Sequence, residues 1–319
     1  MQKDIIRYVK TCVDCQTKKR PLERPAGLMT PITSQKPFER IGLDLIGPFP
    51  LSKSRNRYVI IAVDYFTKWV IAKAIPNSTT KEVVDFFVKR VVLQHGAPSF
   101  LISDRGKSLK SNFAEELFRA MQTNHLVTTA YHPQCNGLVE RFNHTFAMML
   151  SMYVNAKHDD WDESIDYVIF GYNTSRHEST GESPFYLLYG REAVLPIDVS
   201  LGNNPDSNGI TQNIVSDLIN IREKVKRRML MVHARQKKRY DKRHKDKAYH
   251  IGDVVLVYRP IRKKGRAEKL LHRYHGPFRV VNKINSLNYT VESLYGSRKH
   301  RDCVHVSMLK PFHNRETLK

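Results

Sequence analysis

The sequence predicts an α/β protein: a mixed five-stranded sheet flanked by helices, then a long helix, then a small C-terminal β-barrel module. Three observations carry this. Between Pro37 and about Leu201, β-rich runs come first as a meander and then alternate with segments of helical periodicity, the order of a mixed sheet with helices on its faces. Thr211–His244 carries Ile214, Leu218, Ile221, Val225, Met229 and Val232 at steps of three and four, one narrow apolar seam on a helix. From Tyr249 onward, short β-runs alternate with glycine turns.

Taken in order, residues 1–36 are short and basic, with Ile5–Val9 reading as the end of a helix and a Pro-rich linker behind it. Arg40–Ile46 reads as a strand closed by Gly47-Pro48. Tyr58–Val63 and Trp69–Ala74 are β-rich runs joined by a polar turn, hence a hairpin. Asn77-Ser78-Thr79 caps a helix whose Val83, Val84, Phe87, Val88, Val91 and Val92 fall at helical spacing, stopped by Gly96. A short strand at Ser99–Ile102, a helix over Asn112–Met121 and a strand at Leu126–Ala130 follow. Asn136-Gly137 opens a helix running to about Asn155, and another extends from Trp161 to about Tyr172. Gly, Asn, Pro and Ser between Leu201 and Gly209 mark a linker. Val254–Tyr258, Phe278–Lys283, Tyr289–Ser293 and Val304–Leu309 are the strands of the last module. The expected divisions are 1–36, 37–201, 202–248 and 249–319.

The 319 residues carry 53 Lys+Arg against 31 Asp+Glu, a formal charge of +22, which points to a polyanionic partner, with nucleic acid ahead of a membrane surface. No apolar run approaches the roughly 20 residues of a membrane span. Four scattered cysteines argue against a disulfide framework and for a reducing compartment.

Three acids sit in unlikely places. Asp44 lies mid-strand between Leu43 and Leu45, where Asp is disfavoured and burial without a partner is costly. Asp104 ends the apolar run Phe100-Leu101-Ile102, and Glu140 lies one turn into the helix opened by Asn136-Gly137, with 35 residues between them. Acids converging from two strands and a helix make an oxygen cage suited to two Mg²⁺ or Mn²⁺ ions, the hard cations that favour carboxylates. Such carboxylates repel one another until metal arrives, so the metal-free site should be loose or partly protonated. Asp64, at the hairpin turn, is a rival acid whose position suits structural hydrogen bonding instead.

The strings Ile41-Gly42-Leu43-Asp44-Leu45-Ile46-Gly47-Pro48, Ser103-Asp104-Arg105-Gly106 and Tyr131-His132-Pro133-Gln134-Cys135-Asn136-Gly137-Leu138-Val139-Glu140-Arg141 resemble the D,D-35-E motif. That motif belongs to integrases of gypsy-type long-terminal-repeat retrotransposons and, more distantly, to retroviral integrases. Ser179-Thr180-Gly181, Ser183-Pro184-Phe185, Gly276-Pro277-Phe278 and His305–Phe312 resemble later segments of the same family. The resemblance implies a ribonuclease-H-like core, metal-dependent trimming of DNA 3′ ends and their transfer into target DNA. It also implies double-stranded DNA as partner, assembly as a homo-oligomer on DNA, action in the nucleus, and catalytic and metal-binding roles for Asp44, Asp104 and Glu140.

The chain also departs from the family. Cys12-Val13-Asp14-Cys15 is half a zinc site, and the family's two upstream histidines are missing, since the first His is His95. The chain therefore reads as truncated inside that module, and Zn²⁺ is not expected to bind. Those missing ligands favour an alternative reading, a domesticated or fragmentary protein that binds DNA without catalysis; the intact acids oppose it. For DNA contact, His132, Gln134, Asn136, Arg141 and Asn143 flank the catalytic helix. Arg222–Lys247 holds 13 Lys/Arg, including Lys237, Lys238 and Arg239, against three acids, too lopsided for balanced salt bridges. Arg262, Lys263, Lys264 and Arg266 cluster in the last module. All of these position a phosphate backbone without reading a base sequence.

Overall fold

β-branched runs become strands here because each has a second face to bury. The computed structural model describes residues 2–21, 23–104, 111–127, 137–202, 214–259, 265, 267, 270–295 and 300–314. Its elements, in chain order, begin with α1 (Gln2–Thr11), α2 (Val13–Lys18), β1 (Arg40–Ile46), β2 (Tyr58–Asp64), β3 (Val70–Ile75) and α3 (Thr80–Phe86). A π-helical stretch at Phe87–Val92 leads into α4 (Leu93–His95), then β4 (Phe100–Ser103), α5 (Asn112–Ala120) and β5 (Asn124–Val127). Next come α6 (Gly137–Ser151), α7 (Ile165–Thr174), α8 (Pro184–Tyr189), α9 (Pro196–Ser200) and α10 (Ile214–Asp241). The last strands are β6 (Val254–Tyr258), β7 (Tyr274–Lys283), β8 (Asn288–Ser293), β9 (Arg301–His305) and β10 (Leu309–Pro311).

Contacts divide the chain into two compact units, one of residues 31–128 and 133–234, the other of residues 1–30, 129–132 and 235–319.

The first unit is built on a five-stranded sheet of order β3-β2-β1-β4-β5. β1 runs antiparallel to β2 and parallel to β4, and β4 runs parallel to β5, so the sheet is mixed as expected. Alternation along β1 sends Ile41 and Leu43 to one face, where they pack with Val83, Phe86, Phe87 and Phe118 of the helices beneath. The opposite face, carrying Val59, Ile61 and Val63, is covered by Val139, Phe142 and Phe146 of α6 and by Ile165 and Val168 of α7.

Thr79 caps α3, its side chain accepting from the Glu82 N–H at 3.4 Å. Thr79→Ala should lower stability by about 0.5–1 kcal/mol, read as a shift in urea midpoint at unchanged slope. Gly96 ends this helical stretch at φ 88, a conformation glycine adopts without strain. Trp161 stands before the helix predicted around it: α7 starts at Ile165, and Trp161 instead fills the core at 2% exposed while its Nε1 donates to the Pro50 carbonyl. The seam of α10 is an intramolecular packing face in its middle, where Val225 and Met229 bury against Leu187, with Ile221 alongside. Arg222 fastens the same turn by donating to the Leu187 and Leu188 carbonyls.

The second unit holds an antiparallel sheet of order β10-β6-β7-β8-β9 around Val255, Val257, Val280, Tyr289, Val291 and Val306. The strand predicted at Val304–Leu309 is interrupted by a 3₁₀ turn at Val306–Met308, because the His305 side chain accepts from the Ser307 N–H and draws the chain round.

Candidate functional site

Asp44 is the centre of the site, and its place follows from period two. Being one residue past Leu43, it faces away from the Ile41–Leu43 core and toward the face that α6 covers. Parallel pairing aligns Leu43 with Ser103, so the end of β4 delivers Asp104 beside the Asp44 level. Glu140 sits on the exposed side of α6, next to the buried Val139.

Asp44 feels the other two acids. Burial raises the Asp44 carboxyl from 3.8 to about 6, and the negative charges of Asp104 and Glu140 push in the same direction. The Leu45 N–H, donating to Oδ1 at 2.9 Å, and Asn143 Nδ2, donating to Oδ2 at 2.7 Å, resist that rise. Its protonated form is thus favoured relative to that of an ordinary aspartate.

Asn143 had no predicted link to Asp44. Its position three residues after Glu140, on the same turn of helix, was the available signal. Its Oδ1 is buried and lacks a hydrogen-bond partner, an acceptor still to be satisfied.

Asp64 does what its turn position suggested. Its Oδ1 accepts from the Phe38 N–H at 3.0 Å, and Oδ2 accepts from the Thr67 N–H and hydroxyl at 2.8 and 2.6 Å. It is buried, and burial raises its carboxyl. Beside it Lys68, 4% exposed, donates to the Tyr65 carbonyl; burial lowers its ammonium to about 8, against the attraction of Asp64 and with the repulsion of Arg141. His177, pushed down to about 4 by burial and by the charges of Lys68 and Arg141, is a neutral neighbour.

Of the other predicted residues, Arg141 is exposed on α6, and Lys238 and Arg239 are exposed on α10. Lys237 is engaged, donating to the Met29 carbonyl at 2.7 Å and pairing with Asp241 at 2.8 Å. Cys12 and Cys15 are free thiols on one turn at the start of α2, and the Cys15 N–H and thiol hold the Cys12 thiol below its ordinary value. His132, Gln134, Asn136, Arg262, Lys263, Lys264 and Arg266 lie outside the described residues.

Among the described residues, no group of three or more His, Cys, Asp or Glu side chains is arranged to hold a metal ion. The donor chemistry nevertheless suits a hard divalent cation: the Asp44 carboxyl, raised by burial and by the charges of Asp104 and Glu140, beside a buried oxygen with no partner. For zinc, the described residues supply only the Cys12–Cys15 pair, which does not complete a tetrahedral site.

Residues 34–133 match the integrase core domain model, and residues 252–313 match the model described as Tf2-1-like, SH3 domain. The retrovirus-related Pol polyprotein from transposon 412 of Drosophila melanogaster is 26% identical over 328 residues, covering 98% of this chain and 25% of its own length. The transposon Tf2-3 polyprotein of Schizosaccharomyces pombe (strain 972 / ATCC 24843) is 28% identical over 327 residues, covering 99% of this chain and 24% of its own. The chain thus spans about a quarter of the length of the curated relatives it matches. Among solved structures, a chain of the simian T-cell lymphotropic virus intasome in complex with PP2A regulatory subunit B56 gamma aligns at a TM-score of 0.59 and 14% identity, covering 98% of this chain and 91% of that one. That likeness is one of fold.

Proposed function

From a chain that is a relative of long-terminal-repeat retrotransposon integrases, we propose a metal-dependent polynucleotidyl transferase that trims the 3′ ends of element DNA and joins them to target DNA. What supports this reading is placement: Asp44 lies in β1 on the face that α6 covers, Asp104 directly follows the paired strand β4, and Glu140 is on α6. Asp44, Asp104 and Glu140 would hold two Mg²⁺ or Mn²⁺ ions, which when bound activate an attacking oxygen and stabilise a leaving one in an in-line phosphodiester displacement. Asn143 keeps Asp44 oriented through its amide hydrogen bond. The Asp64 turn and the α7–α6 packing fix the sheet and helix that carry the acids.

Double-stranded DNA, a homo-oligomer on that DNA and a nuclear place of action belong to the same proposal. Exposed cations on α10 and α6 supply phosphate contacts. Replacing Arg239 by Gln should reduce the slope of log affinity against log salt by about 1 without changing sequence preference, measured by titrating duplex DNA at several salt concentrations.

The reaction is tested with blunt terminal-repeat oligonucleotides in Mg²⁺ or Mn²⁺. Joined strands are the expected product. DNA that is cut without being joined would identify a nuclease of the same fold. Retained DNA with no cutting at all would favour the idle DNA-binding alternative.

A further inference from the structure

Residues 11–30 pack within the same unit as the C-terminal sheet, and their contacts are specific. Gln16 of α2 is 4% exposed; its side-chain nitrogen donates to the His313 carbonyl at 3.1 Å, and its oxygen accepts from the His313 N–H at 2.9 Å. This two-way bond gives the backbone at His313 what a neighbouring strand would otherwise give it. Lys310 on β10 donates to the Gln16 and Lys19 carbonyls at 2.9 and 3.0 Å, closing carbonyls that the end of a helix leaves open. The Arg273 N–H donates to the Thr17 carbonyl at 3.0 Å, and the Thr17 hydroxyl lies 2.8 Å from His272 Nδ1. The Arg20 guanidinium stands 5.7 Å from the centre of the Tyr258 ring.

Further along, the segment makes one isolated parallel bridge, Ala26 with Lys245. The Lys245 N–H donates to the Pro25 carbonyl and the Gly27 N–H to the Lys245 carbonyl, at 2.9 and 3.0 Å. Ala26 enters the apolar core of the second sheet. Gly27, at φ 104, passes so close that a Cβ would stand 2.9 Å from Val306 Cγ1, so only glycine fits. The Met29 N–H then donates to Asp241 Oδ1 at 2.8 Å.

We propose that Tyr258, His272, Arg273, Lys310 and His313 form a docking surface whose partner is the chain's own α2, making residues 11–30 an obligate part of the C-terminal module. The surface fits a short helix that offers one long side-chain amide and an open carbonyl end. The Cys12-Val13-Asp14-Cys15 turn is thus carried on the module. Lys310 and Lys237 hold this segment in place and are thereby withdrawn from phosphate contact.

Hydrogen exchange on the full chain tests this, with Gln16→Ala and Gly27→Val as separate variants. Losing the buried amide pair should cut the protection of β6, β7 and β8 amides about tenfold in Gln16→Ala, together with those of α2 and residues 23–30. Gly27→Val should do the same to a larger extent, while β1, β2 and β4 keep their protection in both. Loss confined to residues 11–30, with β6–β8 unchanged, would overturn the proposal, as would equal loss in β1, β2 and β4. The readout does not involve DNA, so it stands apart from the enzymatic reading.

Discussion

Glu140→Gln is expected to lower both trimming and joining by at least about 10³-fold while leaving the affinity for duplex DNA unchanged, because it removes a negative charge from the site where metal-borne catalysis is assigned. The side chain is exposed on α6 and its neighbour Val139 carries the packing, so the substitution spares the fold. Strand-joining and binding are measured on the same preparation, with circular dichroism as a control for folding. Full joining activity in this variant would refute the assignment of the three acids. Loss of binding together with joining would show that Glu140 serves DNA contact instead.

Asp44→Asn should make the metal-free protein more stable at neutral pH while abolishing its activity. The Asp44 carboxyl moves from an ordinary 3.8 to about 6 in the fold. Between those values the native chain keeps a proton that the unfolded chain has released, so stability falls as pH rises through that window and stays lower above it. An uncharged amide does not pay this penalty; its one oxygen keeps the Leu45 N–H bond, and its nitrogen takes the other position, where it donates to the unpartnered Asn143 Oδ1 once that amide turns over. The gain should be on the order of 2 kcal/mol at pH 7 and should vanish near pH 3, read from denaturant midpoints across pH. Added Mg²⁺ or Mn²⁺ should then stabilise the wild type and not the variant, since only a ligand bound to the native state shifts the equilibrium. A gain independent of pH would rule out the charge as its cause.

Much of this architecture was legible in the sequence because its signals are local. Arg40–Ile46 and Val254–Tyr258 coincide with observed strands, since each is a β-branched run bounded by turn residues. Thr79 and Gly96 mark the ends of their helical stretch through capping and left-handed backbone, both encoded within a few residues. The role of Asp64 was legible in part for the same reason: its partner Thr67 sits three residues on in the same turn.

What sequence could not supply was pairing across distance. The Asn143–Asp44 bond spans 99 residues and the Gln16–His313 bond spans 297, and neither leaves a periodic trace. Trp161 reads as helical by pattern, yet its ring is drawn into the core by Pro50 far upstream, and the helix starts four residues later. Lys237 reads as a phosphate-contacting cation within a basic run, although Asp241 and Met29 claim its ammonium.

The alignment of Leu43 with Ser103, and of Asp44 with Ile61, has a consequence for how this chain can change. Side chains on a strand alternate, so deleting one residue between Arg40 and Asp44 would turn the acid into the opposite, oily layer. The loop at residues 50–57 has no such parity, although Pro50, Ser52 and Asn56 tie it to Trp161 and Asp162. The place of Asp44 is therefore set less by the identity of its neighbours than by an odd-even count, and a one-residue deletion inside β1 is expected to displace it where a substitution beside it would not.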